Sequence, residues 1–165
     1  MRIPQEIYQK PALQLAPCLI GKLLCRKTGD KIIRLAITET EAYCGESDTA
    51  CHAHRGKTPR NGVMYEAGGI AYIYLCYGIH NLLNVVAAKE GEPEAVLIRG
   101  VMGISGPGRV TKALEIGLDL NREDYMTSDV LWIEDGPVIP YITTPRIGIG
   151  SASEEDQRQL WRFLA

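Results

Sequence analysis

The chain has 165 residues, 45% hydrophobic and 23% charged, the profile of one globular domain long enough to bury a sizeable core. A formal charge of −2 and a pI near 5.9 exclude a uniformly basic nucleic-acid binder, though not a local basic face. No apolar run is long enough to span a bilayer, Met1 to Lys10 lacks the apolar stretch of a secretory leader, and the five cysteines contain no C-x-x-C pair. An intracellular protein with no membrane partner and no disulfide framework is expected.

In chain order, Pro11 to Ile20 reads as a short helix ended near Gly21. Lys22 to Thr28 reads as a strand and Gly29-Asp30 as a turn. Lys31 to Tyr43 is a long strand in which Ile33, Leu35 and Ile37 alternate onto one face. Continuing that period puts Glu39, Glu41 and Tyr43 on the same face, so a row of aliphatics turns into carboxylates at one end. Cys44 to Gly69 is glycine-rich and long for a connection, as functional loops are. It carries His52 and a basic run of His54, Arg55, Lys57 and Arg60. Ile70 to Tyr77 and Asn81 to Ala88 form a predicted hairpin with Gly78 near the turn. Tyr72 and Tyr74 share a face, and Tyr77 falls on the opposite one if the pleat stays regular. Lys89 to Pro93 is a turn, Ala95 to Val101 a strand, and Pro107 to Ile116 a helix ended by Gly117. Short strands are predicted at Val130 to Ile133, Arg146 to Ile149 and Trp161 to Leu164. The expected class is α+β: one compact domain, residues 1–165, around a mainly antiparallel curved sheet with a protruding hairpin.

Several residues invite a chemical reading. A carboxylate at Glu41, among aliphatics in a half-buried strand, is costly unless it is paired or useful. It is either a general base or half of a buried ion pair, with Arg99 a candidate partner. Glu39 has the same parity and is the rival base or a supporting partner. Tyrosines are favoured in strands, so Tyr43, Tyr72 and Tyr74 each have an ordinary core role open to them. Tyr77 beside Gly78 at a hairpin tip would protrude, and a protruding ring can wedge into a base stack. Asn84, between Leu83 and Val85, needs a hydrogen-bond partner or a purpose. Cys44, Cys51, His52 and His54 match no usual zinc spacing, and buried thiols are the plainer account. Gly103 to Gly108 precedes a helix and could meet a phosphate, but without a nucleotide-fold context. There is no Walker loop, H-E-x-x-H or G-x-S-x-G, and neither a metal nor an organic cofactor is expected.

The separated motifs Leu15 to Lys22, Thr38-Glu39-Thr40-Glu41-Ala42-Tyr43, Asp48, His52, Thr58-Pro59-Arg60-Asn61 and Tyr72 to Gly78 occur in this order. Val96-Leu97-Ile98-Arg99, Gly106-Pro107-Gly108-Arg109, Pro145 to Ile149 and Trp161-Arg162-Phe163 follow. Together they resemble the alkyladenine (3-methyladenine, or methylpurine) DNA glycosylase family over nearly the whole chain. The resemblance implies a cofactor-free base-excision repair enzyme that flips alkylated or deaminated purines out of duplex DNA. The class includes 3-methyladenine, 7-methylguanine, hypoxanthine and ethenoadenine. By the same resemblance Glu41 activates the attacking water, helped by Arg99 and the carbonyl of Ile147. Tyr43 stacks on one face of the flipped base, with His52 and Tyr74 on the other. Asn84 crowds the 2-amino group of guanine, and Tyr77 fills the gap left in the duplex. Thr58, Arg60 and Arg109 are the candidate backbone contacts, and the partner is double-stranded DNA bound by a monomer. His80 departs from the pattern, standing where some members carry a bulky aromatic. No lysine stands among the motifs as an obvious amine nucleophile, so hydrolysis without strand nicking is expected. Two other classes are a non-catalytic nucleic-acid-binding domain of related fold and a metal hydrolase built on the Cys/His group.

Overall fold

A computed structural model describes Met1 to Ala165. Nine strands form one curled antiparallel sheet. They are β1 (Leu23–Thr28), β2 (Lys31–Tyr43), β3 (Ala71–Cys76), β4 (His80–Ala87), β5 (Glu94–Val101), β6 (Ile104–Ser105), β7 (Leu131–Glu134), β8 (Ile142–Thr144) and β9 (Arg162–Leu164). The main path runs β3-β4-β5-β2-β1-β7, with β9 also on β2 and β8 on β9. Four short helices surround it: α1 (Gln5–Tyr8), α2 (Ala12–Leu19), α3 (Pro107–Ala113) and α4 (Glu154–Arg158). None is long and apolar enough to cross a membrane.

The two faces of the sheet do different work, and the period-2 alternation of the strands assigns each residue to one of them. Ala71 and Ile73 of β3, Leu83, Val85 and Ala87 of β4, and Val96 and Ile98 of β5 enter a core of 26 buried residues, together with Leu15 and Leu19 of α2. The intervening residues face the other way. Tyr72, Val86 and Ala95 join Cys51, Ala53, Val63 and Met64 in a second cluster of seven, against which Tyr43 and Tyr74 pack. This smaller cluster is the floor of the site.

The long strand β2 crosses between these faces. Its first half pairs with β1 and its second with β5 and β9. Between them the register with β5 slips: Ile37 opposes Val101, Glu39 opposes Gly100 and Thr40 opposes Ile98. This β-bulge reverses the predicted phase. Ile37 and Ala42 lie in the main core, and Thr40 donates to the carbonyl of Ala16 on α2 at 2.9 Å. Glu39, Glu41 and Tyr43 therefore do share a face, but it is opposite to that of Ile37. Ile37 to Thr40 takes three steps on β2 and Val101 to Ile98 three on β5, so the register is the same on both sides of the irregularity while the side chains of both strands change phase across it. Glycine suits position 100, since a Cβ there would stand 3.2 Å from Glu39 Cβ.

Other predicted elements shift. Arg146 to Ile149 is not a strand; β8 lies just before it, and Gly148 bends the chain at φ +73°. The second-half helix stops at Ala113, where Glu115 enters the left-handed region at φ +52° before Gly117 is reached. Helices α1 and α4, too short to show a period, were not predicted; α4 is marked by Ser153, whose hydroxyl accepts from Asp156 N–H.

Candidate active site

Glu41 is fully buried, and both carboxylate oxygens are engaged. Oε1 accepts from the Tyr43 hydroxyl at 2.9 Å and lies 3.7 Å from Arg99 Nη1. Oε2 accepts from the Ile147 backbone N–H at 2.6 Å. Burial raises the carboxyl pKa, while Arg99, the Ile147 N–H and Tyr43 pull it back; burial wins. The Tyr43 phenol is pushed well above its usual value, by burial first and then by Glu41, so it stays protonated and donates.

Glu39 does a different job. Its Oε2 receives Arg99 Nε at 3.1 Å and also the Nε of Arg162, whose Nη1 reaches Thr144 Oγ1 at 2.9 Å. Doubly paired, Glu39 holds Arg99 from behind while Arg99 Nη1 faces Glu41. The buried Glu–Arg pair and the candidate base are thus parts of one network.

In front of this network lies a cavity of about 1260 Å³. Its wall includes Tyr43, His52, Tyr74, Asn84, Arg99 and Ile147, with Tyr77 at the rim. Glu41 does not line it; the residues it bonds do. On one side, His52 and Tyr74 lie with ring centroids 4.3 Å apart, and His52 Nδ1 pairs with Tyr72 Oη at 2.9 Å. Loss of water, and then Arg60, hold the His52 imidazole below its ordinary pKa and so neutral at pH 7. Asn84 donates to the Tyr72 carbonyl at 3.1 Å, so it braces the hairpin and borders the cavity as well.

A family sequence pattern described as "Methylpurine-DNA glycosylase (MPG)" matches residues 6–104 and 102–165. The chain belongs to the methylpurine-DNA glycosylase family. Relatives named "Putative 3-methyladenine DNA glycosylase" include the following three. The one from Methanocella arvoryzae is 42% identical over 98% of this chain and 90% of its own. One from Psychrobacter cryohalolentis is 39% identical over 93% and 89%. One from Borreliella burgdorferi is 40% identical over 94% and 91%.

In this methylpurine-DNA glycosylase family member the hairpin tip is built for display. Tyr77 and Gly78 take φ of +51° and +65°, and Ile79 N–H returns to the Cys76 carbonyl at 3.1 Å. Two successive positive φ values are the signature of a type I′ turn. The turn breaks the pleat, so Tyr77 borders the same cavity as Tyr74 instead of facing away. The residue is 91% exposed. Thr58 and Arg109 line the cavity too, with Arg55 and His80. Arg60 does not: it lies 5.5 Å over the Tyr74 ring and donates to the Leu75 carbonyl at 3.1 Å. The Cys/His group disperses, with His52 on Tyr72, His54 on the Glu46 carbonyl and Cys51 on the Pro93 carbonyl. No three His, Cys, Asp or Glu side chains converge as a metal would need.

Sequence reasoning assigned no role to Asp48, Arg146, Arg162 or Asn61, although all stand in the recognised motifs. Asn61 ties the loop down through Nδ2 to the carbonyls of His52 and Gly56, both at 3.0 Å. Arg146 and Asp48 form a fully buried ion pair. The only sequence signal is on the Arg146 side, a charge beside apolar neighbours in Pro145-Arg146-Ile147; Asp48, between Ser47 and Thr49, carries none.

Proposed function

We propose that this chain is a monofunctional DNA glycosylase that hydrolyses the N-glycosidic bond of damaged purines after flipping them into the cavity. The observation that carries the reading is the Glu41 carboxylate, raised in pKa and held by two groups, Tyr43 and Ile147, that themselves line an aromatic cavity. The flipped purine stacks between Tyr43 on one side and His52 with Tyr74 on the other. Asn84 crowds a 2-amino group, and Tyr77 occupies the space vacated in the duplex. Water enters between Tyr43 and Ile147, and Glu41 takes its proton as the oxygen bonds to the sugar carbon. The C–N bond electrons leave with the purine. Arg99 and the Ile147 carbonyl position the water. Alkylation makes the base a better leaving group, and damage lowers the cost of flipping. A positioned general base supplies about 10²–10⁴-fold.

Support for a DNA partner comes from the family and from Arg55 and Arg109 around the cavity, local cations on an acidic protein. The test is a panel of duplexes bearing hypoxanthine, ethenoadenine, 3-methyladenine or 7-methylguanine, scored for free base and abasic sites. The wild type should release base without nicking the strand, and Glu41→Gln should bind the same duplexes without release. Ordinary turnover by Glu41→Gln would remove the carboxylate from its role. Binding of intact duplex with no release by the wild type would favour the non-catalytic class.

A further inference from the structure

We propose that Arg146, clamped by Asp48, is the positioning residue of the site: one guanidinium fixes the stacking ring of Tyr43 and the peptide N–H that aims the Glu41 carboxylate. This rests on the reading of Glu41 and Tyr43 given above.

Arg146 donates from Nη1 to Asp48 Oδ2 at 2.6 Å and from Nη2 to Asp48 Oδ1 at 3.0 Å, the two-pronged geometry unique to arginine. Nη1 also reaches the Ala42 carbonyl at 3.1 Å, on the strand residue just before Tyr43. The guanidinium carbon stands 4.9 Å from the Tyr43 ring centroid and 4.8 Å from that of Trp161. Tyr43 borders the cavity and Arg146 does not, so the cation backs the ring and leaves its cavity side to a base. A cation over an aromatic face is attracted by the ring, more strongly where water is excluded. Here it also restricts the ring's rotation.

The same residue sets the carboxylate. Arg146 is followed at once by Ile147, whose N–H meets Glu41 Oε2. Nothing regular holds this segment: it is a bend between β8 and α4, and Ile147 itself is 48% exposed. The buried arginine is the anchor from which that exposed peptide reaches inward. Asp48 completes the clamp on the loop side, accepting from the Cys44 and Ala50 N–H groups at 3.0 Å each. The loop that carries His52 is thereby pinned to the segment that carries Ile147, 98 residues away along the chain from Asp48 to Arg146.

Three variants test the clamp. Arg146→Lys keeps the charge and loses the fork. The pair Asp48→Asn with Arg146→Met removes both charges together, avoiding the stranded buried ion that makes single truncations unfold. Leu15→Ala, a core change in α2 remote from the site, is the matched control for lost stability. Amide hydrogen exchange at Ile147 is read first, because it does not depend on base release. Ile147 should lose at least about tenfold in protection in both Arg146 variants, beyond the global change seen in Leu15→Ala. Single-turnover release at saturating DNA should fall about tenfold or more, and Leu15→Ala should not follow. In the Arg146 variants the acid limb of release should also move to higher pH, because Glu41 loses the Ile147 bond in both and the nearby cation in the Asp48→Asn/Arg146→Met pair, while Arg99 and Tyr43 remain and Glu39 stays behind Arg99. Unchanged Ile147 protection in both Arg146 variants would overturn the clamp, whatever the activity. So would wild-type release rates with an unmoved acid limb. A wild type that releases no base, yet shows the exchange effect, would instead count against Glu41 as the base and leave the clamp standing.

Discussion

The cavity wall and the hairpin tip both present tyrosines, and they are built on opposite principles. Tyr43 has its hydroxyl on Glu41 and its ring over Arg146, and it is partly buried. Tyr77 projects from the three-residue connection Tyr77 to Ile79 in strained backbone, 91% exposed. The first arrangement spends burial and hydrogen bonds on geometry, which chemistry requires. The second leaves a large ring in water beside exposed Ile79, an apolar tip that the function proposed above would bury in the duplex. On the function proposed above, chemistry and DNA distortion would fall to separate regions that meet at one rim.

That division can be broken or sharpened by substitution. The largest effect belongs to the wall: Glu41→Gln should slow base release by about 10²–10⁴-fold under single turnover, with duplex affinity nearly unchanged. Equal losses of binding and rate would show that the two regions are not separable. Next, Asp48→Asn strands a buried guanidinium and should cost about 3–5 kcal/mol of stability, read as the shift in urea midpoint at constant slope. At the tip, Tyr77→Ala should cost about 1–3 kcal/mol in lesion-duplex binding, since a stacked aromatic is worth that much. Release from single-stranded DNA should be far less affected, because there is no stack to fill.

The pH profile probes the wall alone. Glu41 must be ionised to accept a proton, and burial raises its pKa above the ordinary 4.5, so the acid limb should lie above that value. Below the limb, release should fall about tenfold per pH unit, and Tyr77→Ala should not move it. The smallest effect is Gly78→Ala. Nothing stands within 4 Å of a Cβ there, so its cost is backbone strain alone, about 1–2 kcal/mol, at φ +65°.

Much of this arrangement is legible in the residues. The bounds of β2, the shared face of Tyr72 and Tyr74, the protruding Tyr77 and the Glu41–Arg99 pair all follow from period, turn chemistry and the cost of burying charge. The phase of Glu41 relative to Ile37 does not, because a bulge leaves no mark in a run of alternating residues. Nor does the partnership of Asp48 with Arg146, or of Glu39 with Arg162, since charges that meet across about a hundred residues carry no local signature. The strand expected at Arg146 to Ile149 fails for the same reason: its apolar alternation is real, but a buried ion pair and Gly148 direct the backbone elsewhere.

The slipped register on β2 has a wider meaning. It works as a frame marker: with one residue fewer between Ile37 and Thr40, β2 would no longer match the three-step span of β5 opposite, and the later acid and ring would rotate into the oily interior. A sequence otherwise matching this one, but shortened there by a single position, should fold poorly or excise nothing, however well its motifs read.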